Sequence, residues 1–237
     1  MEESHRVDDE LRSKAKEFSE CLLELIAGMG PVLHEELLGE VATEEAKLWR
    51  IQLDLTYLCL HLIDRLTFQT LGAEKRQVFI DALGPAVEQS LENQFHAQIE
   101  SREFRDAFFQ ILNRKNVEYA AYREFFPEEG QGTKNTLFWE FAKNMSTDYG
   151  NLNPIRLGKV WITASRLMEP LVEALRIFGL VPRTNAAGDG VAWNAVSSER
   201  LNKEERCFRD KPYESLLKIK STWPPARKFD KEKPGKE

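Results

Sequence analysis

Apolar positions recur at intervals of three and four residues along most of the chain, and no run of strict alternation marks a strand. The first amphipathic stretch covers residues 9–27, with Phe18, Leu22, Leu25 and Ile26 on its apolar side. Gly28, Gly30 and Pro31 predict a break, followed by a short helix over residues 31–38 with proline in its first turn, where the missing N–H costs little. Thr43 then offers an N-cap, with Glu45 placed to suit the helix dipole. That helix is expected to run to Leu71, with Gly72 closing it as the C′ residue. Another begins near Glu74 and carries Phe79, Leu83 and Val87, and Gly84-Pro85 is expected to kink or divide it. Further helices are predicted over residues 101–126, 135–145 and 154–178. Pro154 starts the last, Pro170 bends it and Gly179 ends it. The result is an all-α reading: one bundle-like domain of about seven helices, residues 9–196, joined mainly by short loops.

Residues 47–68, KLWRIQLDLTYLCLHLIDRLTF, stand apart within that pattern. On a helical wheel Leu48, Ile51, Leu55, Leu58, Cys59, Leu62 and Leu66 share one broad arc, and Trp49, Leu53, Leu60 and Ile63 fill the adjoining one. A helix this apolar is expected at the centre of the fold. What remains is a narrow polar strip of Arg50, Asp54, Tyr57, His61, Asp64 and Arg65, neighbours at spacings of three and four.

That strip holds the candidate chemistry. His61 beside Asp64 is the pairing in which a carboxylate orients an imidazole, Arg65 adds an anion-holding cation, and Asp54 and Tyr57 extend the row. A bound metal is not expected, because His61 and Asp64 supply too few ligands and no Glu-x-x-His or HExxH pattern surrounds any histidine. The preferred reading of the strip is a solvated face or a ladder of ion pairs. An aromatic stripe of Phe104, Phe108, Ile111, Tyr119, Tyr122 and Phe126 reads as core in preference to a ligand wall, and so does the stripe from Leu157 through Trp161 and Met168 to Phe178. No cofactor is expected, since no dinucleotide or phosphate-loop motif is present. The AAGDG segment at 186–190 reads as a connector, and WPPAR at 223–227 lacks PxxP spacing.

Composition narrows the function classes. Of 237 residues, 42% are hydrophobic, which supports a core, and the formal charge of −6 argues against direct nucleic-acid binding. Within residues 198–237, 12 bases face 8 acids, leaving −10 on the preceding chain. With prolines at 212, 224, 225 and 234, residues 197–237 are expected to form an exposed helix and a flexible, weakly basic tail; residues 1–8 are expected to be disordered. Three scattered cysteines suit a reducing compartment, and the acidic start is unlike a leader, so the cytoplasm is the expected location. No stretch is apolar enough for membrane insertion. The expected function is a helical protein-interaction module. Two alternatives are an enzyme or metal-dependent protein built on the Asp54/His61/Asp64/Arg65 strip, and a binder of apolar small molecules between helices.

Overall fold

In a computed structural model, residues 2–39, 45–95, 101–127, 133–150 and 153–182 are described. They form α1 (Glu2–Leu38), α2 (Glu45–Phe95), α3 (Ser101–Ala120), α4 (Leu137–Asp148), α5 (Pro154–Ser165) and α6 (Met168–Ile177), with no strand among the described residues. The protein is all-α. Thr43, residues 186–190 and everything expected of residues 197–237 lie outside the described residues.

α2 consists of two arms. Gly72 sits at φ 71°, ψ 176°, a conformation essentially confined to glycine, and it separates arm 45–71 from arm 73–95. Arg76 reaches back over it to Asp64, Nε to Oδ1 at 2.6 Å and Nη2 to Oδ2 at 2.8 Å. A straight helix would hold residues twelve apart at a rise of about 18 Å, so the chain turns sharply here. Gly72 therefore stops the first arm as its sequence position implies.

Besides α4, shifted from the expected 135–145 to Leu137–Asp148, four helices depart from the sequence reading. α1 starts at Glu2 and runs unbroken through Gly28, Gly30 and Pro31. Ile26, Leu33 and Leu37 are buried on both sides of those residues, and packing along the whole face outweighs the local breakers. Gly30 also lies against the next helix: a Cβ there would meet Gln52 Cγ at 2.7 Å. The second arm of α2 is not divided at Gly84-Pro85, since Gly72 is the residue with non-helical dihedrals inside the helix. α3 ends at Ala120, short of Phe126, for a reason given below. Residues 154–178 are two helices, broken at Arg166 and Leu167: the Arg166 N–H is shared between the Ile162 and Thr163 carbonyls, and the Leu167 N–H bonds Ala164, three residues back. The break removes the clash that Pro170 would have with the carbonyl of Arg166, and it places the proline in the first turn of α6.

α6 closes as expected. Gly179 at φ 68° lets Leu180 N–H bond Leu175 at 2.8 Å and Gly179 N–H bond Arg176 at 3.0 Å, a Schellman motif with Leu175 and Leu180 both buried.

The first arm of α2 is the axis of the fold. From Ile51 to Thr67 every residue except Gln52 and Asp64 is buried. α1 covers it at Gly30. α3 runs parallel to it through Trp49–Phe104, Tyr57–Phe108 and His61–Tyr119, at ring distances of 6.4, 5.3 and 5.5 Å. The end of α4 covers its start, where Arg50 meets Asp148 at 3.4 Å and the Tyr149 hydroxyl donates to the Lys47 carbonyl at 3.3 Å. On the far side, Phe18 of α1 lies edge-on to Phe79 of α2 and to Phe178 beyond α6. α5 is tied to the end of α1 by Lys159–Glu36 at 3.0 Å and by Arg156 donating to the Leu37 carbonyl at 3.3 Å. No described helix is long and apolar enough to cross a membrane.

Candidate functional site

The polar strip of α2 faces inward. Asp54, Tyr57, His61 and Arg65 are 2%, 0%, 4% and 8% exposed, so the expectation of a solvated face is overturned. The cause is α3, whose aromatic side lies on the strip, with Phe108 against Tyr57 and Tyr119 against His61. Asp64 alone among the five candidate residues keeps partial contact with solvent.

Arg65 and Asp64 shape the fold. The Arg65 guanidinium donates to the Tyr122 carbonyl at 2.9 Å and to the Arg123 carbonyl, and it stacks on the Phe125 ring at 4.2 Å. It satisfies carbonyls just past the end of α3 and holds residues 122–126 out of the helix that was expected to include them. Burial lowers its pKa to about 10, opposed by the Glu124 carboxylate, so it remains charged near neutrality. Asp64 is engaged by Arg76 at the Gly72 turn and not by His61. Its pKa is raised by burial, with Arg76 pulling the other way.

Tyr57 and His61 face a small buried polar junction completed from α3 by Asn116 and Tyr119. Burial lowers the His61 pKa to about 3; the Arg65 charge adds to the effect and the Asn116 side chain opposes it. The imidazole is neutral at ordinary pH. The phenols of Tyr57 and Tyr119 are pushed well above 10, first by burial and then by the Asp54 charge, which acts on both. Tyr57 Oη, His61 Nε2 and Tyr119 Oη are sequestered and have no hydrogen-bond partner within the protein. At ordinary pH the imidazole and the two phenols of the junction are therefore neutral hydrogen-bonding groups. Asn116 was not among the sequence candidates, and Tyr119 was read only as core within the aromatic stripe. Their signal is faint: a polar residue three positions from a tyrosine on an otherwise aromatic face.

Among the described residues the open clefts lie away from the buried part of the strip. Two open clefts, of about 420 and 480 Å³, meet at Pro85 near the far end of α2. One lies between Glu88 and Glu92 of α2 and Arg102 and Arg105 of α3, the other between α1 and the second arm, and no strip residue lines either. Among the described residues no three His, Cys, Asp or Glu side chains are grouped to hold a metal ion. The aromatic stripe of α3 is packed core, with Phe104, Phe108 and Ile111 all buried.

No protein-family model, curated protein or solved structure matches the chain.

Proposed function

We propose that the protein is a helical interaction module and that the outer face of α5 is its contact surface. The observation that carries this reading is the exposure of Ile155 and Ile162, 73% and 44%, on one side of a two-turn stretch of α5. Positions seven apart share a helix face, and Gly158 between them has open space where a Cβ would stand. Single exposed isoleucines are ordinary on protein surfaces, but two aligned around a glycine leave a flat apolar strip against which another helix can pack closely. The opposite face of α5, with Val160, Thr163 and Ala164, is buried, so the helix is anchored without help from the two isoleucines. Lys159 and Glu36 form a charged rim beside the strip. The free thiols of Cys21 and Cys59 support a reducing compartment, the cytoplasm, as the place where the partner is met.

The test is a photo-cross-linking residue in place of Gly158. In cells it should form a discrete adduct with a partner protein, and Ile155→Asp combined with Ile162→Asp should abolish that adduct while leaving the melting temperature of the purified protein nearly unchanged. No adduct at all, or one that survives both aspartates, refutes the reading.

A further inference from the structure

We infer that the buried junction between α2 and α3 is a binding site for resident water, held by Tyr57, His61 and Tyr119. All three side chains are at most 4% exposed, and their Oη, Nε2 and Oη atoms have no partner in the protein. An unmade bond at a buried polar atom lowers the folding equilibrium constant roughly tenfold, and native proteins keep such atoms few. With the Oδ1 of Asn116, also buried and unpartnered, the junction holds four such atoms, and they call for a common partner.

The side chains adjoin one another along the seam between α2 and α3. Tyr57 and His61 are one turn apart on the same edge of α2, and the His61 ring meets the Tyr119 ring at 5.5 Å. The Asp54 carboxylate, one turn before Tyr57, acts on both phenols, and Tyr57 itself acts on Tyr119. Phe108 closes the side of Tyr57.

The chemistry selects water over other occupants. Two neutral phenols donate, and a neutral imidazole nitrogen and the Asn116 amide oxygen accept, which matches a molecule that receives two hydrogen bonds and gives two. A buried water typically has two to four such partners. Neither cleft at Pro85 includes a residue of the junction, so a larger solute has no route through them. A cation would need several anionic or imidazole ligands, and no such group of three occurs among the described residues. The water ties α3 to the axis helix at the level where Arg65 secures the end of α3.

Two measurements on the full-length protein decide it. Tyr57→Phe and Tyr119→Phe each remove one oxygen and keep the ring. In a dry junction each substitution deletes an unsatisfied group, and the protein becomes more stable or stays unchanged. In a hydrated one each breaks a bond to the water, and the unfolding constant should rise about fivefold or more. Separately, the His61 ring protons should show NMR cross-relaxation with a long-lived water, and Tyr119→Phe should weaken it. The inference stands if that signal is present and both variants lose stability. Absence of the signal overturns it, as does either variant matching or exceeding the wild type in stability.

Discussion

Burial lowers the pKa of His61 to about 3, with the Arg65 charge pushing the same way and Asn116 opposing. In the unfolded chain the same imidazole takes its proton near ~6.5. Between those values the unfolded state binds a proton that the folded state does not, so stability falls as the pH drops from about 6.5 toward 3. The slope from this one group approaches ~1.4 kcal/mol per pH unit. Above pH ~6.5 both states are neutral at this position and the contribution vanishes. His61→Gln should therefore flatten the acid limb of the stability profile and leave the near-neutral limb parallel to that of the wild type. Urea denaturation at several pH values between about 7.5 and 4 checks this, and an unchanged acid slope in the variant would show that His61 is not buried as described. The residue types of this junction were legible in the sequence, but their environment was not. A helical wheel sees its own helix, whereas the surroundings of Tyr57, His61 and Arg65 include Phe108, Tyr119 and the carbonyls of Tyr122 and Arg123, which follow tens of residues later.

Glycine and proline have opposite effects in different elements, and surroundings decide which. Gly72 lies at φ 71°, ψ 176° with open space around it, so its value is conformational alone. Gly72→Ala should cost about 1–3 kcal/mol through backbone strain, with no steric clash involved. Gly28 also has open space but sits in continuous helix, where glycine is a liability. Gly28→Ala should stabilise the protein by about 0.5–1 kcal/mol. Urea midpoints moving in opposite directions for the two variants are the expected result; a loss at Gly28 would mean that α1 does break there. These cases show how far element boundaries could be read from the chain. Gly72 and Gly179 stop helices because the conformations there demand glycine, a property that belongs to the position itself. Gly28, Gly30 and Pro31 fail to stop α1 because Ile26, Leu33 and Leu37 pack on both sides, a property of the partner surface. Pro170 misled in the other direction: a proline tolerated in a first turn has the same local sequence as one that bends a helix.

At the scale of the molecule, the described residues are organised around the first arm of α2, and the apolar character of residues 47–68 was enough to place it at the centre. The order in which other helices cover it was not readable, since similar apolar stripes on α1, α3 and α6 can pair in many ways. Phe18 shows how one choice binds distant parts together. It is fully buried on α1, meets Phe79 of α2 at 6.2 Å and meets Phe178, after α6, at 5.3 Å. The same helix holds α5 through Glu36 and the Leu37 carbonyl. We therefore expect residues 2–182 to unfold as one cooperative unit, with α5 and α6 unable to detach from α1 and α2. Phe18→Ala should remove about 3–5 kcal/mol, the cost of deleting a buried aromatic ring. In a cooperative unit that loss appears equally in the slowest-exchanging amides of α1, α2 and α6, because all of them exchange through the same global opening. Native-state hydrogen exchange on the wild type and on Phe18→Ala measures each helix separately. If the amides of α6 alone lose protection while those of α2 keep theirs, the last two helices form a separately melting unit and the single-domain reading is wrong.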